Sequence, residues 1–271
     1  MSGPDHHVKS DVTAFRIVRA LDRLGETRVT DVTTETGIAK SSVYKHLDTL
    51  RDLGFVTKSG STYSLSLRWH EIGHRVRDRR PIYSVARPEV ERLARRTGET
   101  VSLVVEENGD AVYVHQTRAS GDAAGPVHGG DRLPAPVSVG GKAILSYRPE
   151  SDVESAFSGS QSPADLDRLL SELRSIRSQR MAIERDAPRR DGLSAGAFEG
   201  HRHEAGDETP YGGLNSVAVP LRDPDSYAVG AIELSGPTDS LYGRRLEEET
   251  TELLVNAAKS VETALAHRES E

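Results

Sequence analysis

Apolar residues recur at helical spacing through most of the first hundred residues, interrupted by a short β-prone stretch at 55–65, and beyond Gly98 the pattern changes to paired strands and further helices. In residues 8–24, Phe15, Val18, Leu21 and Leu24 fall on one helical face, and Gly25 stops the helix. Residues 28–54 predict a short helix, a turn at Gly37 and a second helix whose stripe is Val43, Leu47, Leu50 and Leu53, ending at Gly54. At about 100° per residue the opposite face carries Ser41, Lys45 and Asp48, flanked by Ser42 and Tyr44. His46 lies about 60° from Val43 and should pack near the core. Thr30 is the expected cap of the first of these helices and Ser41 or Ser42 of the second, because a hydroxyl there accepts an unpaired first-turn N–H. From Phe55 to Leu65 two β-prone runs surround Ser59-Gly60, a hairpin signal.

Beyond residue 66 the pattern predicts a helix over 67–79, broken by Pro81, and another over 82–97 carrying Val85, Val90, Leu93 and Ala94. Paired strands follow at Thr100–Val105 and Ala111–His115, then a Gly- and Pro-rich loop over 118–134. Helices are expected at Ser138–Tyr147 and Ala164–Arg180, the second with Leu166, Leu169, Leu170, Leu173 and Ile176 on one face, and a short strand at Arg180–Glu184. Residues 185–213 hold almost no large apolar side chains and read as a long exposed loop. Strands Leu214–Leu221 and Tyr227–Ser235, joined by the turn Asp223-Pro-Asp225, precede a final helix at 243–267. The fold class is α+β: a helical N-terminal part, then an antiparallel sheet with flanking helices.

Composition narrows the function. A chain of 271 residues, 35% hydrophobic and 28% charged, fits two domains with a real core. There is no apolar run of membrane-spanning length and no apolar signal core at the start, so a cytoplasmic protein without membrane attachment is expected. The absence of cysteine excludes disulfides, thiolate nucleophiles and Cys-ligated metals. Residues 1–80 hold 14 Lys and Arg against 10 Asp and Glu, a formal +4, which leaves −11 for the remainder of a chain at −7. A basic first segment on an acidic chain suits a polyanion at that end.

Two helices joined through a glycine turn, the second starting with hydroxyl and lysine side chains, fit a DNA-reading helix-turn-helix, and equally an ordinary helix pair with a solvated face. The hairpin at 55–65 turns three helices into a winged helix-turn-helix and favours DNA. Its contact residues are then Arg28, Thr30, Lys40, Ser41, Ser42, Tyr44 and Lys45, with Lys58 on the wing, where a phosphate contact fixes register. Asp48 and Asp52 would repel phosphates and should lie beyond the groove.

Four segments, in order, carry a resemblance. They are Thr36-Gly-Ile-Ala-Lys-Ser-Ser-Val-Tyr-Lys-His-Leu-Asp-Thr-Leu50 with the wing ending Tyr63-Ser-Leu65; Ala86 through Val101; Gly140-Gly-Lys-Ala-Ile-Leu145; and Gly213-Leu-Asn-Ser-Val-Ala-Val-Pro220 with Gly230 through Pro237. From about residue 10 to 267 the chain resembles the isocitrate-lyase-regulator (IclR) family of transcription factors. The resemblance implies a winged helix-turn-helix at 8–66, a linker helix at 67–80 and a GAF-like effector-binding domain at 81–268. It implies an effector pocket at Leu133, Val139, Gly140, Glu184, Leu214, Ser216, Glu233 and Ser235. It also implies pairing as a homodimer or dimer of dimers on double-stranded operator DNA. The chain departs from the family pattern at Pro136, often His; at Ser216, often Cys; and at Glu233, often a small hydroxyl residue. Many family effectors are small carboxylates, which a charged Glu233 would repel unless it faced outward or were protonated.

Competing chemistry is weaker. His70-Glu71-Ile72-Gly73-His74 matches the zinc-binding pattern of metallopeptidases, with Glu71 placed to activate water, but Gly73 sits inside the helix and no third ligand follows at the usual spacing. A zinc-dependent hydrolase is the alternative function, and a DNA-binding assembly protein whose C-terminal domain only oligomerises is another. Gly140-Gly141-Lys142-Ala143 lacks the first glycine and the magnesium-holding hydroxyl of a phosphate loop, and better starts a helix. His201 and His203 read as solvated loop residues. The expectation is a regulator governed by a small-molecule effector, not an enzyme, requiring no cofactor or metal.

Overall fold

The computed structural model describes residues 8–118, 128–157, 163–187 and 214–269. It divides into two compact units, Met1–Arg77 and Asp78–Glu271.

The first unit contains helices α1 (Lys9–Leu24), α2 (Val29–Thr36) and α3 (Lys40–Asp52), strands β1 (Thr27–Arg28), β2 (Val56–Ser59) and β3 (Thr62–Leu65), and α4 (Arg68–Asp78). Its core is Ile17, Ala20, Leu21, Val32, Val43, Leu47, Val56 and Tyr63. The α1 stripe is rotated from the expected one: Ile17, Ala20 and Leu21 go inside, whereas Phe15 and Leu24 are exposed. Leu53, expected to extend the α3 stripe, is also exposed. Gly37 adopts φ 67°, ψ 8°, the left-handed conformation that lets the chain leave α2 and reverse into α3. The antiparallel sheet runs β1-β3-β2, and the two-residue strand β1 was not anticipated. On α4, the Trp69 indole N–H donates to the Phe55 carbonyl (3.0 Å), and no residue of α4 is buried.

The second unit is built on one antiparallel sheet, ordered β6-β5-β4-β9-β8-β7 among the described residues. Its strands are β4 (Thr100–Glu107), β5 (Asp110–Thr117), β6 (Arg132–Pro134), β7 (Ala182–Ala187), β8 (Leu214–Arg222) and β9 (Ala228–Pro237). Helices α5 (Pro81–Thr97) and α9 (Thr250–Glu269) cover one face. There, Val101, Leu103, Val105, Val217, Val219, Leu221, Ile232 and Leu234 meet Val90, Leu93, Leu254 and Val261 in one apolar cluster. The other face carries α6 (Val139–Leu145) with α7 (Glu150–Phe157) and α8 (Pro163–Gln179) beyond it; Val104, Ala111, Tyr113, Ala218 and Ala231 pack there against Val139, Ala143 and Ile144.

Three expectations are corrected here. The stretch 118–134 is not loop throughout, because β6 pairs Leu133 with Ala111. The stretch 185–213 is not loop from its start, because β7 continues to Ala187; residues 188–213, with His201 and His203, lie outside the described residues. Helix α7 was not expected at all.

One irregularity positions the later argument. Between β4 and β5 the register shifts, so that Leu103 opposes His115 while Val104 opposes Tyr113, leaving Val114 as an extra residue. Such a bulge reverses side-chain alternation. Tyr113 and Gln116 therefore share a face, that of α6, while His115 faces α5, where its ring meets Tyr83 edge-on at 5.8 Å.

Candidate functional site

The N-terminus of α3 is built differently from expectation. Its cap position is Ala39, with no side-chain cap hydrogen bond, so neither Ser41 nor Ser42 caps it. Ala39 lends only its carbonyl, to Ser42 (2.8 Å) and Val43 (3.0 Å). With no acid in its first turn, this end keeps the positive pole of the helix available to an anion. Lys40, Ser41, Tyr44 and Lys45 are exposed around it, and Ser42 is half-buried. Asp48 and Asp52 are both paired with Arg51, at 2.6 and 3.0 Å, farther along the helix.

Thr30 does not cap α2. Arg28 is the cap residue, and Asp31 accepts from the Arg28 N–H (3.1 Å) and the Thr27 hydroxyl (3.1 Å). The Arg28 backbone bond, then the Thr27 bond, hold the Asp31 carboxyl below its ordinary range. Arg28 opposes Thr62 on β3 and Lys58 opposes Tyr63, so strand alternation puts the Arg28 and Lys58 side chains on opposite faces of the small sheet. Lys58 lies over the Tyr63 ring at 5.2 Å.

On α4, the His70 and His74 rings lie 3.9 Å apart, tilted by 46°, and Glu71 pairs with Arg75 at 3.1 Å. Among the described residues no group of three or more His, Asp or Glu converges on a metal position.

In the second unit the expected pocket residues gather on the α6 face of the sheet. Glu184 opposes Ser216, Ser216 opposes Ser235, and Ala218 opposes Glu233. Leu214, two residues before Ser216, shares that face by alternation. Val139 and Gly140 start α6 above it, and Leu133 packs at its edge. Glu233 is buried and turned toward α6. Its Oε2 accepts from the Tyr113 hydroxyl (3.0 Å) and from the Gly140 N–H (3.0 Å). Burial pushes its pKa up to about 7 against those two bonds, and the nearby Glu184 charge adds to the rise. The Tyr113 hydroxyl is itself held well above its usual range, first by burial and then by Glu233, so it remains a donor.

Gly140 permits this approach. A β-carbon there would lie 2.9 Å from Glu233 Oε2 and 2.9 Å from Val104 Cγ2, too close for either to remain. Ser138 caps α6 by accepting from the Gly141 N–H (2.8 Å). Sequence reasoning missed Tyr113 and Ser138. Tyr113 stands 120 positions from Glu233, with no local signal joining them.

The family model described as the IclR C-terminal domain of bacterial transcriptional regulators matches residues 74–197, and a helix-turn-helix model, the bacterial regulatory protein arsR family, matches residues 11–58. The chain carries the C-terminal domain of the IclR regulators behind a helix-turn-helix domain. The chain is 24% identical over 275 residues to the probable HTH-type transcriptional regulator ArcR of Halobacterium salinarum, covering 97% of this chain and 96% of ArcR. Among solved structures, the IclR of Thermotoga maritima superposes with a TM-score of 0.70 at 22% identity, covering 96% of this chain and 99% of that one. An IclR homologue from Microbacterium hydrocarbonoxydans, complexed with 4-hydroxybenzoate, superposes at 0.69 with 18% identity, covering 95% and 99% of the two chains. The chain is thus a DNA-binding transcriptional regulator with a mixed α+β fold, and not an enzyme. Among its described residues no helix is long and apolar enough to cross a membrane.

Proposed function

We propose that a small-molecule effector bound on the α6 face of the C-terminal sheet controls this regulator. The observation that carries the reading is Glu233. A carboxyl enclosed in a domain core is costly unless the site uses it, and here serines and a tyrosine surround it where the opposite face is mostly Val, Leu and Ile. The site comprises Leu133, Val139, Gly140, Glu184, Leu214, Ser216, Glu233 and Ser235, with Tyr113 added. The 4-hydroxybenzoate complex of the Microbacterium homologue supports the same reading. Differential scanning fluorimetry against small acids, amines and sugars tests it. A true effector at a hundred times its Kd adds about 2.7 kcal/mol of stability. A library without a single shift in Tm would sink the reading.

In the first unit, we propose that α3 enters the major groove, with Lys40, Ser41, Ser42, Tyr44 and Lys45 as contacts. Arg28, Thr30 and Lys58 meet the backbone, and Asp48 and Asp52 lie beyond the groove. The functional division is 8–66 for DNA, 67–80 for the linker helix and 81–268 for the effector. A homodimer or dimer of dimers in the cytoplasm would read a pseudo-palindromic operator. The effector acts by binding one arrangement of that assembly better than another. Lys45→Ala should weaken binding to an operator selected in vitro and reduce the slope of log K against log salt by about 1. An unchanged slope in fluorescence anisotropy would remove Lys45 from the phosphate contacts.

A further inference from the structure

Besides Glu233 and Glu184, the α6 face holds a cationic group, on its β5 side. Arg118 follows the last residue of β5. Its Nη2 donates to Gln116 Oε1 (3.3 Å), and Gln116 Nε2 donates to Ser102 Oγ (3.3 Å). Ser102 opposes both Gln116 and Glu233 across its two strand pairings. This relay, made possible by the bulge at Val114, brings Arg118 onto the same face as Glu233. Arg118 Nε is shielded from solvent and has no hydrogen-bond partner; it is the one such side-chain nitrogen or oxygen among the described residues. A guanidinium N–H enclosed without an acceptor carries the full cost of its lost hydration, and an incoming oxygen would relieve it.

The two ends of this face have opposite requirements. At one end, Glu233 Oε2 already accepts from the Tyr113 hydroxyl and the Gly140 N–H, and the Glu184 charge disfavours an anion, which makes this the less suitable end for a carboxylate. At the other, Arg118 offers its Nε–H, a cationic donor without an acceptor. Between them stand the small hydroxyl side chains of Ser102 and Ser235. Two strand spacings separate the β5 and β9 backbones, about 10 Å, a span from which both long side chains reach inward.

We propose that Arg118 is the acid-recognition residue of the effector site, and that the effector is a small molecule with a carboxylate at one end and a hydroxyl or ammonium donor at the other. This rests on the effector reading above and names the effector's chemistry and orientation: carboxylate on Arg118, donor on Glu233.

The test uses matched pairs that differ only in the anion: 4-hydroxybenzoate with 4-hydroxybenzamide, glycolate with glycolamide, and mandelate with mandelamide. Each is titrated calorimetrically into the full-length protein and into Arg118→Gln and Arg118→Lys. In the wild type the acid of at least one pair should bind about tenfold or more tightly than its amide, the size of one charge-assisted hydrogen bond. Arg118→Gln should erase that preference, and a urea midpoint close to the wild type's shows that the variant is folded. Arg118→Lys, which keeps the charge but loses Nε, should retain only part of it. Amides that bind as well as their acids, or an acid preference that survives in Arg118→Gln, would overturn the role of Arg118 and leave the effector reading standing. Failure of all six compounds to bind the wild type would overturn both.

Discussion

The C-terminal sheet has two faces made by the same strands, and they are built to different ends. Toward α5 and α9, alternate residues are Val101, Leu103, Val105, Val217, Val219, Leu221, Ile232 and Leu234, all almost completely buried. Toward α6, the interleaved residues include Ser102, Ser216, Ala218, Ala231, Glu233 and Ser235. On β9 the contrast is residue by residue: Ile232 and Leu234 on one side, Ala231, Glu233 and Ser235 on the other. Apolar area removed from water contributes about 25 cal/mol per Å², so the α5–α9 face supplies most of the sheet's stability. The α6 face has small side chains and a carboxyl that resists burial. A sheet anchored on one side can give up stability on the other, and that is where ligand chemistry can be placed.

The largest expected effect lies on the anchoring face. Leu234→Ala removes a fully enclosed side chain between Val101 and Val217 and should destabilise the protein by about 2–5 kcal/mol. Urea denaturation followed by far-UV circular dichroism measures it. A loss below about 1 kcal/mol would mean that the α5–α9 face is not the anchor.

The next effect separates the faces by pH. In the folded protein Glu233 titrates at about 7, against an ordinary value of 4.5. The folded state therefore binds the proton more tightly than the unfolded chain. Its contribution is fully present below about pH 4.5, declines as pH rises, and is lost above about pH 7. The difference in pKa corresponds to about 3 kcal/mol. Glu233→Gln, which keeps the shape and an acceptor for Gly140, should flatten this slope and be more stable than the wild type at pH 8, with little difference at pH 4.5. Parallel pH profiles for the two proteins would show that Glu233 is not the group that loads this face.

Much of this contrast is legible in the sequence, and what is hidden has identifiable causes. On β9, Ile232, Glu233, Leu234 and Ser235 alternate, and the family resemblance puts Leu214, Ser216, Glu233 and Ser235 in one pocket. Val114 could not be recognised as a bulge, because Val112, Tyr113 and Val114 all suit a strand and only the partner's register reveals the extra residue. Without it, Tyr113 and Gln116 would be assigned to opposite faces, and the path from Ser102 to Arg118 disappears. Arg118 itself borders a glycine-rich stretch and reads as loop. In the first unit the α1 sequence offers overlapping apolar stripes, Phe15 with Val18 and Ile17 with Ala20 and Leu21, and tertiary packing selects the second. Thr30 lies inside the first turn that starts after the cap residue Arg28, whose N–H is accepted by the Asp31 carboxylate, a stronger acceptor than a hydroxyl. The site's central bond, Tyr113 to Glu233, joins strands that meet only through β4.

That bond gives the smallest and most selective prediction. Tyr113→Phe removes one of the two donors to Glu233 Oε2 and leaves the ring in place. The bond favours the charged carboxylate, so its loss should raise the Glu233 pKa further. The cost must then depend on pH: about 1.5–3 kcal/mol at pH 8, where a charged acceptor loses its donor, and less at pH 5, where the carboxyl is already protonated. On the anchoring face no such dependence is expected, since Leu234→Ala removes only apolar contacts and should cost the same at both pH values. The ratio of the two losses, measured by urea denaturation at pH 5 and pH 8, therefore tests the division between the faces. A Tyr113→Phe loss as independent of pH as that of Leu234→Ala would mean that Tyr113 serves packing alone and that the polar face ends at Glu233.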